Sequence, residues 1–453
     1  MSSLIDHLNF GNIYFNNKTY SPATILANID AVAENISKRY ISNSPFVYLF
    51  APNHIKTVYG LFGIIKAGRV CVLVDPALKH FELEEMMKDA APGAIIKPDK
   101  GTDTFDFFKE IEVKHYQLSP ARIQGLNDVA IMLYTAADDG FAKGAMLTHA
   151  NILANASSIN EINNVKKGTV SCALIAVHHL FALQTGIVAP SIAGGDFILE
   201  DITNFKSLKN VGIQLEKNKA THIYAVPAVY LFLRKLPQIK QIVAAATSFV
   251  SGGAKLTRSI FDSYRNDLQC EIHEGYGITE ASPICAWHGP KDKIKLDSVG
   301  RSFPCCKIEI HDENNKDLGA GQSGEICITG SNVMKGYFGN DSATKSTIVD
   351  GWLRTGDIGK MDAEGYVYLT GLKKRMLNIG GNKVYPAEVE RLMRRNKNIR
   401  NVEVFGEPDE ILGDTVKAKV QLRENSKEDQ NAFIAWCSEN ITGYKVPRAP
   451  EFI

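Results

Sequence analysis

The residues best suited to chemistry lie in three short segments that contain glycine. The first runs from Tyr134 to Gly144 and follows the apolar stretch Val129–Leu133, which predicts a strand. A loop of small residues that leaves a strand can turn its backbone N–H groups toward a phosphate, and Lys143 adds a positive charge close to Gly140. The same glycines also suit a tight turn, so this segment alone leaves both interpretations open.

The second segment ends at Glu280 and combines glycines with a ring, a hydroxyl and a carboxylate. Gly275 and Gly277 let the backbone approach a flat ligand closely, and Tyr276 offers a ring face for stacking. Thr279 can donate its hydroxyl to a phosphate oxygen, and Glu280 is a hard oxygen ligand of the kind that Mg²⁺ prefers. The alternative is a glycine-rich strand end without a ligand.

The third segment, Gly351–Asp357, ends on an acidic residue that follows a turn glycine. The carboxylate of Asp357 can accept two hydrogen bonds from the diol of a ribose. An aspartate that caps a turn is the common alternative. Together, in this order and spacing, the three segments indicate a nucleotide site far more specifically than any one of them does.

Taken together, the three segments resemble those of the adenylate-forming superfamily, which includes acyl-CoA synthetases, luciferases and peptide-synthetase adenylation domains. The resemblance extends over nearly the whole chain. It also includes the stretches Leu147–Asn151, Gly324–Ile328, Gly336-Tyr337 and Lys383–Glu390. The pair Tyr385-Pro386 in the last stretch is most similar to fatty-acyl and long-chain acyl-CoA ligases.

The resemblance implies a two-step reaction with ATP, Mg²⁺ and CoA as cofactors. A carboxylic acid, expected to be a fatty acid, attacks the α-phosphate of ATP, and the thiol of CoA, or alternatively that of a carrier protein, then attacks the acyl-adenylate. By motif position, the residues implied in catalysis are Lys143, His179, Thr279 and Glu280, with Glu280 also the metal ligand. The residues implied in nucleotide binding are Thr135, Gly140, Gly253, Ala254, Gly275, Tyr276, Gly277 and Asp357.

The resemblance also assigns roles to the acyl pocket and to a mobile C-terminal lobe. His179 matches the histidine that lines the acyl carboxylate pocket, although a lone histidine among apolar residues is otherwise more often part of a core. Lys374 matches the hinge, and Gly380 and Gly381 match the backbone near the channel for the CoA pantetheine. A basic cluster could attract CoA phosphates or an acidic carrier protein, or form a solvated face; its members are Lys373, Lys374, Arg375, Arg391, Arg394 and Arg395.

Several positions depart from the superfamily pattern. Asp138 and Asp139 stand where hydroxyl residues are usual, and Leu372 stands where a ribose-binding arginine is usual. At roughly 4 Å, each carboxylate–phosphate charge pair costs about 1 kcal/mol in water and about 4 kcal/mol at an effective dielectric constant of about 20. The sequence up to Ile453 also offers no candidate for the lysine that supports adenylation in the superfamily. We therefore expect slow adenylation.

These departures keep two further hypotheses open beside the acid–thiol ligase. One is a catalytically impaired member of the fold that binds a nucleotide, an acyl-CoA or a carrier protein. The other, chemically close to the ligase, is adenylation for a peptide or polyketide carrier. The sequence does not give the length of the acyl chain or the oligomeric state.

The three segments need a framework of strands and helices to bring them together. Phe46–Phe50 and Val70–Val74 predict buried strands, and His54–Ala67 between them predicts a helix, which is the βαβ pattern of a parallel sheet. After residue 295 apolar and polar residues alternate, which predicts half-buried antiparallel strands. We predict an α/β fold with a large N-terminal lobe (1–373) of parallel-sheet αβα subdomains plus a small β-barrel-like part, and a small α+β C-terminal lobe (374–453).

Composition excludes several classes of protein. The 453-residue chain has 45% hydrophobic and 22% charged residues, which is typical of a globular protein, and its net charge of +1 favours neither nucleic acid nor an anionic membrane. No apolar run approaches the roughly 18 residues of a transmembrane helix, and the N-terminus lacks the basic start and apolar core of a secretory signal. The eight cysteines form no Cys-x-x-Cys pair, so we expect reduced thiols in a cytoplasmic protein.

Overall fold

The fold is described from a computed structural model of the chain, which covers residues 2–39, 44–98, 118–135, 140–200, 202, 205–290, 292–372, 376–424, 426 and 428–453. The strands are β1 (Ile13–Phe15), β2 (Lys18–Tyr20), β3 (Phe46–Phe50), β4 (Val70–Val74), β5 (Ala94–Ile96), β6 (Val129–Thr135), β7 (Lys143–Thr148), β8 (Val170–Leu174), β9 (Asp196–Ile198), β10 (His222–Ala225), β11 (Ser248–Ser251), β12 (His273–Gly277), β13 (Ile284–Trp287), β14 (Arg301–Ser302), β15 (Cys306–His311), β16 (Ser323–Gly330), β17 (Gly336–Tyr337), β18 (Ile348–Val349), β19 (Trp352–Met361), β20 (Val367–Leu372), β21 (Leu377–Ile379), β22 (Asn382–Val384), β23 (Ile399–Asp409), β24 (Gly413–Leu422) and β25 (Glu451–Phe452). The α-helices are α1 (Pro22–Arg39), α2 (Ile55–Lys66), α3 (His80–Asp89), α4 (His149–Asn163), α5 (Leu180–Leu183), α6 (Ala189–Ala193), α7 (Phe205–Lys217), α8 (Pro227–Leu233), α9 (Ile239–Ala245), α10 (Arg258–Leu268), α11 (Asp341–Thr347), α12 (Pro386–Met393) and α13 (Gln430–Asn440).

A nine-stranded sheet carries the second chemical segment. Its strand order is β14-β13-β12-β11-β10-β8-β9-β1-β2, and β9, β8, β10, β11 and β12 run parallel to one another. Strands β8, β10 and β11 are buried along their whole length, as is typical of parallel strands covered on both faces. Their carboxyl ends meet at one edge of the sheet, where ligands of open α/β sheets bind. The loop after β11 and the end of β12 lie at that edge.

A six-stranded sheet carries the first segment. Its order is β17-β7-β6-β4-β3-β5, with β6 and β7 antiparallel and Thr135 paired with Lys143 in register. Helix α2 connects the parallel strands β3 and β4, and every residue from Ile55 to Ile65 is buried. The predicted strands Phe46–Phe50 and Val70–Val74 and the helix between them are therefore confirmed, with the helix bounds one residue inside the predicted ones.

Two smaller sheets complete the α/β fold, which confirms the predicted fold class. Strands β15, β16, β19 and β18 form an antiparallel sheet, to which β20 adds beside β19. The described residues from Leu377 onward, which we call the small lobe, form a separate sheet of order β22-β21-β24-β23 with β25 beside β24. We call the preceding residues the large lobe. The exact boundary at residue 374 stays a prediction.

Two expectations from composition can be compared with the structure. Among the described residues, no helix is both long and apolar enough to span a membrane. All eight cysteines lie in described positions, and no disulfide joins any of them.

Candidate active site

Glu280 connects two of the sequence segments. It lies in a short 3₁₀ turn, Thr279–Ala281, directly after β12. Its Oε1 accepts hydrogen bonds from the Thr135 hydroxyl at 3.2 Å and from the Tyr337 hydroxyl at 2.9 Å. The end of β6, the turn after β12 and strand β17 therefore meet at one carboxylate.

Lys143 belongs to the same group of side chains. It begins β7 opposite Thr135, and its ammonium lies 5.9 Å from the centre of the Tyr337 ring. Sequence reasoning expected Lys143, Thr135 and Glu280 to contact one ligand, and the structure brings them together. Sequence reasoning assigns no role to Tyr337, because the Gly336-Tyr337 pair is identified only as part of a stretch that matches the superfamily.

Asp357 joins the third segment to the second. Its Oδ2 accepts a hydrogen bond from the Tyr276 hydroxyl at 2.5 Å. Burial and the neighbouring Asp357 carboxylate hold the pKa of Tyr276 well above its usual value, so this phenol stays a donor. The sequence predicts that the Tyr276 ring stacks on a ligand. In the structure the Tyr276 hydroxyl orients Asp357, the residue predicted to bind the ribose.

Glycines shape the edge of the sheet between these side chains. A methyl group on Gly277 would lie 1.8 Å from the carbonyl oxygen of Pro283, so only glycine fits where β12 passes into the Thr279 turn. Gly253 has a φ of +78° in the loop after β11. Because β11 pairs with β12 in parallel, Gly253 and Ala254 follow a strand adjacent to Gly275. These residues line the same edge, as expected for an adenine site.

His179 lies at the start of α5 and is half-buried. Burial and the nearby His178, with ring centres 4.4 Å apart, lower the pKa of His179 to about 3. The Asn382 side chain of the small lobe forms a hydrogen bond to it and opposes that shift in part. His179 is therefore a neutral imidazole at physiological pH.

The turn between β21 and β22 places the predicted glycines of the small lobe against the large lobe. Gly380 and Gly381 have φ values of +60° and +95°. A methyl group on Gly381 would lie 3.1 Å from the side chain of Val226, and the Asn378 amide donates to the Gly253 carbonyl at 2.8 Å. In this conformation the small lobe covers the edge where the nucleotide segments meet.

The arginines of the predicted basic cluster that are described have acidic partners. Arg391 pairs with Glu85 of α3 and donates to the Gly140 carbonyl at 2.8 Å. Arg395 also pairs with Glu85, and Arg394 pairs with Glu390. In this conformation these arginines hold the lobes together or stabilise α12. The sequence leaves two roles open, attraction of phosphates or of an acidic carrier protein and a solvated helix face, and neither includes these contacts between lobes.

Some predicted residues lie outside the described part of the chain. They are Lys373, Lys374 and Arg375 of the basic cluster and the sequence Ala136–Asp139, which includes both aspartates of the first segment. For Leu372, the backbone belongs to β20 and the side chain is outside the description.

The residues present fit a magnesium ion bound together with a nucleotide. Among the described residues, no group of three or more His, Cys, Asp or Glu side chains is arranged to hold a metal by itself. Mg²⁺ usually binds one or two carboxylates and completes its shell with substrate phosphates and water. Glu280, fixed by two hydroxyl groups, supplies such a carboxylate.

Comparison with known proteins gives both family and fold. The model of the AMP-binding enzyme family matches residues 8–338, and that of the AMP-binding enzyme C-terminal domain matches residues 388–453. A long-chain-fatty-acid–CoA ligase of Bacillus subtilis (strain 168) is 30% identical over 90% of this chain and 81% of its own length. A feruloyl-CoA synthase of Amycolatopsis is 28% identical over 90% of this chain and 84% of its own.

Solved structures of the same fold include two other CoA ligases. An o-succinylbenzoate CoA synthetase from Bacillus subtilis superimposes with a TM-score of 0.86 at 21% identity, covering 99% of this chain and 94% of that one. A malonyl-CoA ligase with methylmalonyl-CoA and AMP bound gives a TM-score of 0.84 at 22% identity, covering 99% and 96%.

Proposed function

Because this chain belongs to the family of AMP-binding enzymes, we propose that it is an acid–thiol ligase that activates a carboxylic acid with ATP and transfers the acyl group to CoA. The observation that carries the proposal is the convergence of three sequence segments at the carboxyl end of β12. On one side of this end Tyr276 binds Asp357, and on the other Glu280 binds Thr135 and Tyr337. A single nucleotide with its ribose at Asp357 and its phosphates near Glu280 accounts for both arrangements.

In the first step the carboxylate oxygen of the acid forms a bond to the α-phosphorus of ATP, and the bond to pyrophosphate breaks. This step crowds negative charge at the phosphates, and fixed donors lower its barrier if they point at that charge before the reaction. Lys143 and the Thr279 hydroxyl are the proposed donors. Glu280 would hold Mg²⁺, which would supply Lewis-acid stabilisation of the developing negative charge.

In the second step the sulfur of CoA attacks the acyl carbonyl, the thiol gives up its proton, and AMP leaves. The neutral His179 imidazole is proposed to orient the acyl carboxyl group by hydrogen bonding, without adding a charge. The hydrogen bond to Asn382 connects His179 to the turn between β21 and β22, which carries Gly380 and Gly381. That turn is proposed to line the path of the CoA thiol.

The names of the relatives support CoA as acceptor but differ in the acid. They include ligases for long-chain fatty acids and for ferulate. The fatty acid expected from the Tyr385-Pro386 pair is therefore one acid class among those that the relatives use.

A nucleotide- or acyl-CoA-binding module without catalysis is the second candidate. The observation that favours it is the pair Asp138-Asp139 in the first segment, since carboxylates next to a triphosphate oppose its binding.

Carboxylate-dependent exchange between labelled pyrophosphate and ATP tests the proposal. We expect exchange with the full chain and a loss of at least about a hundredfold in Glu280→Gln, because the proposed Mg²⁺ ligand loses its carboxylate. Glu313→Gln, a substitution of an exposed glutamate in the turn between β15 and β16, is the control and should exchange like the wild type. Tight binding of acyl-CoA with no exchange for any acid would favour the binding module.

A further inference from the structure

The packing beyond His179 limits how large an acyl group the large lobe can hold. This inference rests on the proposed function, since it places the acyl carboxyl group at His179. Helix α5 starts directly after His179 and continues through a π turn, Gln184–Val188, into α6. This helical segment packs on β8. An acyl tail that runs from His179 along the segment would lie between the helix and the sheet.

One end of that space is closed by direct contact between helix and sheet. Gly186 in the π turn is buried, and a methyl group placed on it would lie 2.6 Å from Cβ of Ala173 in β8. Two carbon atoms in contact are about 3.5–4.0 Å apart, so even a single methyl group does not fit here. A methylene chain therefore cannot pass between Gly186 and Ala173.

The other side is closed by a row of aromatic rings. The Phe181 and Tyr224 ring centres are 6.4 Å apart, Tyr224 and Trp287 are 6.0 Å apart, and Trp287 stacks on Phe303 at 5.8 Å. Tyr224, Trp287 and Phe303 are 0%, 2% and 1% exposed. The row is continuous, because each pair lies within the 4.5–7 Å range of interacting rings.

Two glycines show which side of this row faces the site. A methyl group on Gly252, next to Gly253, would lie 3.0 Å from the Phe181 ring. A methyl group on Gly275 would lie 3.6 Å from the Trp287 ring. The rings of Phe181 and Trp287 thus lie directly under the backbone of the edge where the nucleotide segments meet.

We propose that this chain selects compact carboxylic acids, either with a few carbons or with a single flat ring, and that Phe181, Tyr224 and Trp287 exclude long-chain fatty acids. The rings give flat apolar walls on which a short chain or a ring can pack. Admitting a long chain requires moving Tyr224 and Trp287, which are fully buried, and close-packed interiors resist such overpacking.

The test compares acids of increasing size in two independent assays. Pyrophosphate exchange is measured with butanoate, benzoate, octanoate and hexadecanoate. Calorimetry measures binding of sulfamoyl adenosine that carries a butanoyl, benzoyl or hexadecanoyl group on its sulfamate nitrogen, since these compounds mimic the acyl-adenylate. We expect butanoate or benzoate to exceed hexadecanoate by at least about a hundredfold in both assays, since a misfit of one methylene already costs about 10–200-fold. Phe181→Ala should raise the octanoate-to-butanoate ratio at least about tenfold.

Phe452→Ala is the matched control, because Phe452 is also half-buried but lies in β25 of the small lobe. It should leave the ratio unchanged. Equal or tighter binding of the hexadecanoyl analogue by the wild type would overturn the inference, as would a Phe181→Ala ratio no higher than that of Phe452→Ala. If no acid supports exchange but the benzoyl or butanoyl analogue binds at least a hundredfold more tightly than the hexadecanoyl one, the inference stands and the proposed function fails.

Discussion

Substitution of Glu82 by glutamine should release the small lobe from the large one. Glu82 lies in α3 of the large lobe, and its Oε1 accepts from the Lys445 ammonium at 2.8 Å. Its Oε2 accepts from the backbone N–H of Thr442 at 3.0 Å and from the Thr442 hydroxyl at 2.5 Å. Lys445 also pairs with Glu388 of α12 at 2.7 Å. One large-lobe carboxylate therefore receives three hydrogen bonds from the small lobe.

The expected magnitude follows from how completely this cluster is buried. The side chains of Glu82, Lys445 and Glu388 are 5%, 6% and 7% exposed. Burial alone disfavours the charged Lys445, but Glu388 and Glu82 outweigh it and raise the pKa of Lys445 above its usual value. Removing one partner of a buried ion pair costs about 3–5 kcal/mol. Because glutamine still accepts hydrogen bonds and Lys445 keeps Glu388, we expect about 3 kcal/mol, a hundredfold or more in the docking equilibrium.

Energy transfer between dyes measures this equilibrium. The dyes are attached at positions 313 and 439, which are exposed and lie in different lobes. Glu84→Gln is the control on the same helix: Glu84 is 26% exposed and pairs with Lys88 and Arg395 near the surface, where ion pairs contribute about 0–1 kcal/mol. Equal docking of Glu82→Gln and Glu84→Gln would refute the reasoning.

Three further substitutions test the site and its framework. Tyr337→Phe removes a hydrogen bond to the Glu280 carboxylate, so we expect about a tenfold or greater rise in the Mg²⁺ concentration needed for half-maximal exchange. An unchanged Mg²⁺ titration would contradict the contact. Burial raises the pKa of Glu274 from 4.5 to about 7, so between these values the folded chain binds more protons than the unfolded chain, and stability falls as the pH rises through 7. Glu274→Gln should remove that slope and stabilise the fold at pH 8 by up to about 3 kcal/mol, as urea unfolding at pH 5 and pH 8 can determine. Gly277→Ala should lower the free energy of unfolding in urea by about 1–3 kcal/mol, because the added methyl group would lie 1.8 Å from the Pro283 carbonyl oxygen. Gly275→Ala should cost less, because its methyl group would lie 3.4 Å from its nearest neighbour. The reverse order would contradict the geometry.

The sequence was sufficient where the physical signal is local or is carried by a motif. The buried strands β3 and β4 have purely apolar sequences, and α2 between them has apolar residues at helical spacing. The meeting of Thr135 with Glu280 is implied by the resemblance to the adenylate-forming superfamily. Each of these features is encoded within a few residues or in a recognisable pattern.

Contacts between distant residues were not accessible in the same way. Tyr337 binds Glu280 across 57 positions, and nothing in a Gly-Tyr pair indicates this partner. Arg391 binds Glu85 across 306 positions, and the sequence around it indicates only a basic helix face. Whether such a charge faces solvent, a ligand or another lobe depends on how the lobes dock.

The central claim is that one nucleotide extends from Asp357, at its ribose, to Glu280, at its phosphates. A comparison of binding of ATP and of 2′,3′-dideoxy-ATP tests this claim most directly. Calorimetry should find that wild-type protein binds ATP at least about tenfold more tightly than the dideoxy analogue, because the ribose hydroxyls are proposed to donate to the Asp357 carboxylate. Asp357→Ala should bind ATP more weakly and no longer discriminate, whereas Glu280→Gln should weaken both ligands equally. Wild-type protein that binds both ligands alike, or Asp357→Ala that retains the full preference for ATP, would contradict the claim.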